Sequence, residues 1–99
     1  MKIVAVTACP TGIAHTYMAA EKLERAARKL GHEIKVETQG SMGIENALTR
    51  DEVGRADVVL LAAGIAIRDA GRFEGKRVVE VGVQEAIRNP EGILASFGS

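Results

Sequence analysis

The segment C-P-T-G-I-A-H-T at 9–16 brings a thiol, two hydroxyls and an imidazole together around a glycine. A strand-like run, KIVAVTA at 2–8, leads into it, and a helical pattern leads out. At the start of a helix a cysteine meets unsatisfied backbone N–H groups and the positive end of the helix dipole. That setting stabilises the thiolate and should bring the Cys9 pKa below the reference of about 8.5. Pro10 lacks an N–H but presets its φ for a tight turn, and Gly12 lets backbone approach a ligand closely. The N–H groups of Thr11, Gly12, Ile13, Ala14 and His15 are then placed to ring a tetrahedral anion bonded to the sulfur. Thr11 and Thr16 add hydroxyl donors, and His15 adds charge when protonated. The chemistry these residues suit is nucleophilic capture of a phosphoryl group on Cys9.

A lone cysteine more often serves as packing than as a nucleophile, and it is the neighbouring proline, glycine and helix start that reverse the balance here. The spacing resembles the cysteine-phosphatase loop, in which cysteine and arginine flank five residues. The sixth position after Cys9 is His15, however, so the fixed guanidinium that grips a phosphoryl oxygen pair is missing. A phosphatase also needs an acid for the leaving group and an activated water. A phosphoryl carrier should avoid activating water. As the plainer alternatives, His15 and Thr16 are helix-surface residues, Tyr17 and Met18 are core or partner contacts, and His32 is structural.

The elements around this loop alternate. Residues 12–30 read as a helix, with Ile13, Tyr17, Ala20, Leu23, Ala27 and Leu30 at three- and four-residue steps. Gly31 stands where a C-cap belongs. EIKVET at 33–38 alternates as a strand with one wet face, and a weaker helical piece follows over 43–55, broken by Gly54. DVVLLAA at 57–63 and RVVEVG at 77–82 read as the third and fourth strands, and one short helix closes the chain. The first and third strands are almost wholly apolar and belong in the middle of a parallel sheet. The expected fold is a single three-layer α/β domain with a four-stranded parallel sheet in the order 2-1-3-4, resembling the Rossmann-like folds of cysteine phosphatases. That order reverses its winding at the carboxyl end of the first strand, where ligands bind in such sheets and where Cys9 falls.

Composition narrows the classes further. Ninety-nine residues suffice for one core. With only Tyr17, Phe73 and Phe97 as aromatics, that core must be aliphatic. Thirteen basic residues balance thirteen acidic ones, which counts against a nucleic-acid partner. A single cysteine permits no internal disulfide, and metal-ligand spacing is absent. The longest apolar run, 58–67, is too short to span a bilayer, so a cytoplasmic, soluble domain is expected.

VTACPTGIAHTYMAAE at 6–21 resembles the signature of the fructose-specific IIB family of the phosphoenolpyruvate-dependent sugar phosphotransferase system. The likeness continues in IKVETQGSMGIENAL at 34–48 and returns weakly in ADVVLLAA at 56–63 and RFEGKRVVEVGVQEAI at 72–87. The resemblance implies one IIB domain over 1–99, with Cys9 as the phosphocysteine. It implies a phosphotransferase that takes its phosphoryl group from a phosphohistidine on a IIA protein or domain. The group would pass to a sugar, fructose by family default, carried by a membrane IIC component through which the domain reaches the membrane. It implies no metal or organic cofactor. Gln39, Ser41 and Met42, in a second loop expected at the same edge, are candidates for the rim that meets IIA or IIC, as are Arg68 and Asp69. One departure stands out: AAGIAIRDAGRF places Gly64 where family members commonly carry an aspartate, in a stretch of the form AADIxVD. Two rival functions keep the loop but change its use. One is a small cysteine phosphatase or arsenate-reductase-like enzyme with Asp69 as general acid. The other is a regulatory module that senses a phosphorylated partner.

Overall fold

In the computed structural model residues 1–9, 13–40 and 43–97 are described. Strand β1, Lys2–Ala8, is buried at every position except Lys2, as its unbroken apolar run requires. It pairs in parallel with β2, Glu33–Gly40, on one side and with β4, Val58–Ala63, on the other. Strand β5, Val78–Val81, extends the sheet beyond β4. This is the expected order of the four parallel strands.

A fifth strand was not foreseen. The short β3, Gly43–Glu45, folds back antiparallel on β2, pairing Thr38 with Glu45 and Gln39 with Ile44, so the sheet is mixed and runs β3-β2-β1-β4-β5. Gly43 takes a φ of 95°, which a residue with a Cβ rarely adopts and which this reversal uses. The expected helix over 43–55 is therefore only its last part, α2, Arg50–Arg55. Thr49 begins it with a capping box: its hydroxyl accepts from the Glu52 N–H at 3.1 Å, and Glu52 Oε1 accepts from the Thr49 N–H at 2.8 Å. Gly54 lies inside that helix rather than ending it.

Helix α1, Ile13–Leu30, ends as the sequence suggests. Gly31 has φ 80°, its N–H bonds the Arg28 carbonyl, and the His32 N–H bonds that of Ala27. These are the two bonds of a Schellman motif. The buried stripe of α1 is Thr16, Ala19, Ala20, Leu23, Ala26 and Ala27, while Tyr17 and Leu30 are exposed. Four alanines in that stripe let the helix lie close to the sheet, and the bulky Tyr17 is left at its border. Two further helices, α3 (Val83–Arg88) and α4 (Pro90–Ala95), stand where one was expected. Asn89 divides them, because Pro90 cannot continue α3 and the Asn89 side chain accepts from the Gly92 N–H to cap α4.

The sheet thus has two unequal covers. Helices α1, α3 and α4 pack on one face over Ile3, Ala5, Val36, Val58 and Leu60. On the other face α2 and a 3-10 turn, Ala70–Phe73, close a smaller core over Val4, Val6, Val59 and Leu61. Because β1, β2, β4 and β5 run parallel, their carboxyl ends share one edge, and Cys9 leaves β1 there.

Candidate functional site

Cys9 follows the last residue of β1 and is half-buried against the α1 side of the core. Pro10, expected to set the turn, and Thr11 and Gly12, expected to cradle the phosphoryl group, lie outside the described residues, as do Ser41 and Met42 of the second loop. The chain re-enters at Ile13 as the first turn of α1, an 18-residue helix with no acidic side chain in that turn and with Arg28 and Lys29 in its last. Both features suit an anion at the N-terminus: nothing repels it there, and the basic end complements the opposite pole of the dipole. The first-turn N–H groups of Ile13, Ala14 and His15 have no acceptor within the helix.

His15 turns back over this opening. Its Nδ1 is 3.8 Å from Cys9 Sγ, so the imidazole and the thiol share one site. With the proton on Nδ1 the ring donates toward the sulfur, and with the proton on Nε2 it accepts from the thiol. Ala14 is exposed and contributes backbone alone. Thr16 departs from the helix-surface alternative: it is 1% exposed, and its Oγ1 has no hydrogen-bond partner among the described residues. Its carbonyl accepts from the buried Thr7 hydroxyl at 3.0 Å, which ties the first turns of α1 to β1 beside Cys9.

Of the second-loop candidates, Gln39 alone is described, and it is arranged differently from expectation. Gln39 is not a rim residue. It is 8% exposed, and its side chain points inward, where Nε2 donates to Glu37 Oε2 at 2.8 Å. The wet face read from the alternation of β2 ends at Lys35: Glu33 is exposed and Lys35 half-buried, but Glu37 is completely buried. Its carboxylate accepts two hydrogen bonds from Arg72, 2.8 and 2.5 Å long, and one from the Leu48 N–H at 2.9 Å. Burial alone pushes the Glu37 pKa up, but the Arg72, Gln39 and Leu48 hydrogen bonds outweigh it and hold the carboxyl below its ordinary value. The same pairing raises Arg72. Neither Glu37 nor Arg72 was a sequence candidate. An acidic residue late in an otherwise closing strand was the available signal, but its partner lies 35 positions away.

Arg68 and Asp69 are exposed, on the segment between β4 and the 3-10 turn. Asp69 has φ 63°, a left-handed conformation that aspartate tolerates better than most residues. Gly64, at the position of the family aspartate, still anchors the start of the segment, since its N–H bonds the Ala8 carbonyl at 3.1 Å. That bond needs no side chain. Around this edge Tyr17, Met18 and Ile65 are large apolar residues left 41%, 44% and 48% exposed. Among the described residues no group of three or more His, Cys, Asp or Glu is placed to hold a metal ion. Among the same residues no helix is long and apolar enough to cross a membrane.

Comparison with known proteins places this site in context. A family model described as "PTS system, Lactose/Cellobiose specific IIB subunit" matches residues 4–96. The "PTS system fructose-like EIIB component 2" of Escherichia coli K12 is 53% identical over 96 residues, covering 97% of this chain and 91% of the relative. A longer protein of the same strain, "Fructose-like PTS system EIIBC component", is 53% identical over 98% of this chain, which spans 20% of it. The crystal structure of a domain from the fructose-specific IIABC component of Borrelia burgdorferi superposes with a TM-score of 0.89. It is 60% identical, with 93% of this chain and 88% of that one covered. The sugar in the family description and the sugar in the relatives' names differ, so membership alone does not set the sugar.

Proposed function

This chain belongs to the IIB subunit family of the sugar phosphotransferase system, and from that premise we propose that it carries a phosphoryl group on Cys9 between a IIA donor and a sugar. The carrying observation is the imidazole of His15, 3.8 Å from Cys9 Sγ at the first turn of a long helix. In the first half-reaction the Cys9 thiolate attacks phosphorus of a phosphohistidine on IIA. The S–P bond forms, the P–N bond breaks, and the electron pair returns to the IIA imidazole. In the second, a sugar hydroxyl attacks the same phosphorus, the S–P bond breaks, and Cys9 leaves as thiolate. The hydroxyl proton departs to a base on the sugar side.

Cys9 needs no general base of its own in this scheme. The helix N-terminus, worth about half a positive charge, and a protonated His15 favour both the thiolate and the phosphoryl oxygens that replace it. In this reading the first-turn N–H groups and the Thr16 hydroxyl serve as donors to the phosphoryl oxygens, and preorganised donors are where catalysis of phosphoryl transfer chiefly comes from. The EIIBC relatives join IIB and IIC in one chain by name, which supports a membrane IIC component as the sugar-bearing partner and the cytoplasm as the place of work. The fructose-like names favour a fructose-type sugar. Tyr17, Met18 and Ile65 are exposed apolar side chains of the kind that protein partners cover.

The test supplies labelled phosphoenolpyruvate, the general phosphotransferase proteins and a competent IIA. Label should appear on the wild type and not on Cys9→Ser. Equal labelling of both proteins, or none of the wild type, would end the proposal.

A further inference from the structure

The Gln39 amide makes three hydrogen bonds. Its Nε2 donates to Glu37 Oε2 at 2.8 Å and to the Arg68 carbonyl at 3.1 Å, and its Oε1 accepts from the Arg68 N–H at 2.8 Å. The amide therefore pairs with the backbone of Arg68 as a neighbouring strand would, although β4 ended at Ala63. Its orientation is dictated by chemistry. An ionised Glu37 can only accept, so the NH2 of Gln39 must face it and the carbonyl oxygen must face Arg68. Glu37 is in turn held by both terminal nitrogens of Arg72, four residues beyond Arg68. Strand β2 thus grips this segment at two points, by backbone at Arg68 and by side chain at Arg72, with the left-handed Asp69 between them.

The location matters. Ala8, the residue before Cys9, is in register with Gln39 on β2 and with Ala63 on β4. The segment starts on the Ala8 carbonyl through Gly64 and reaches Gln39 by Arg68, so it passes the carboxyl end of β1 on the face opposite α1. Ile67 packs into the smaller core beneath it. The Cys9 turn therefore has α1 on one side and this segment on the other.

We infer that Gln39, oriented by the buried Glu37–Arg72 pair, is a positioning residue that holds residues 64–69 as a preformed second wall of the Cys9 site, presenting Arg68 to the incoming phosphorylated partner. The inference rests on the phosphocarrier reading. It assigns the wall to recognition of the partner and not to the bond exchange at phosphorus. A wall that must be ordered on each encounter costs affinity, and one held in advance does not.

The experiment measures transfer from phosphorylated IIA to Cys9 for wild type, Gln39→Leu, Arg68→Ala and the double variant, with amide hydrogen exchange at Arg68. Gln39→Leu keeps the volume but removes the amide; if it does not fold, Gln39→Met serves. Loss of preorganisation should raise KM for phosphorylated IIA about tenfold and leave kcat within about twofold. Exchange of the Arg68 N–H should quicken by at least about tenfold. In the Arg68→Ala background the KM effect should shrink, because the two residues act through one feature. An unchanged KM with a faster-exchanging Arg68 amide would overturn the inference, and so would a fall in kcat alone or fully additive effects. Failure of the wild type to take label on Cys9 would instead remove the phosphocarrier reading, while Arg68 exchange would still report whether Gln39 holds the segment.

Discussion

The two segments that flank Cys9 reach the same edge of the sheet by different physics. The stretch from Cys9 into α1 is contiguous in the chain, and the groups proposed to act there are largely backbone. A buried strand runs into an amphipathic helix, and the Thr7 hydroxyl on the Thr16 carbonyl fastens the joint. Residues 64–73 have little regular structure and are held from β2 by side chains: the Gln39 amide on Arg68 and the Glu37 carboxylate on Arg72. In the proposed mechanism the first segment draws on N–H groups that any helix start supplies. The second depends on an ion pair between a fully buried Glu37 and a partly buried Arg72, whose desolvation is costly and whose members are worth little unless both are present. The proposed phosphoryl binding is thus separable from shaping of the proposed partner-facing wall, and substitutions should divide along that line.

The largest contrast is expected between Cys9→Ser and Arg72→Met. Removing the thiol should abolish transfer in the labelling assay while denaturant unfolding stays close to wild type. Removing the guanidinium leaves Glu37 buried without its main partner, and stability should fall by about 3–5 kcal/mol in the same unfolding measurement. If Arg72→Met proved as stable as wild type, the wall would not depend on the pair.

Acid should act on the wall and spare the turn. Glu37 has a folded pKa below its unfolded one, so its contribution is complete above the unfolded value and is lost as pH falls through the folded value. Wild-type stability should therefore decline as pH drops below the ordinary glutamate range, and Glu37→Gln should flatten part of that decline. Glu52, also held below its ordinary value by Lys35 and the Thr49 N–H, titrates in the same region, and the difference between the two proteins isolates Glu37.

His15→Ala tests the turn more gently. A charge-assisted contact to sulfur or phosphoryl oxygen is worth about 1.5–3 kcal/mol, so transfer should slow by roughly ten- to a hundredfold with little change in stability. Unchanged rates would return His15 to the helix surface. The smallest effect belongs to Thr16→Val. Its buried hydroxyl has no hydrogen-bond partner among the described residues, so the valine variant should be as stable as wild type or slightly more so, within about 1 kcal/mol. Severalfold slower transfer in that variant would show that the hydroxyl is kept for the phosphoryl group.

Much of this was legible in the residues. The strand order followed from the near-continuous apolar character of β1 and β4, and the end of α1 from Gly31 after a basic turn. Cys9 and His15 stood out as candidates by their spacing, and the structure brings them within 3.8 Å. Less was legible where a polar residue serves the interior. Glu37 looked like the wet side of an alternating strand, Gln39 like a rim amide and Thr16 like a hydroxyl donor or helix surface; all three are buried. The hairpin at β3 was hidden because three residues carry no measurable period.

What the sequence determined by itself is local and repetitive: strands and helices from their periods, and a helix start just after Cys9 from proline and glycine. Tertiary structure alone decided which polar side chains face inward. The reason is that a buried carboxylate is tolerable only beside its cation, and the cation for Glu37 comes from the far side of β4, 35 residues on. No pattern within β2 records that Arg72 will arrive.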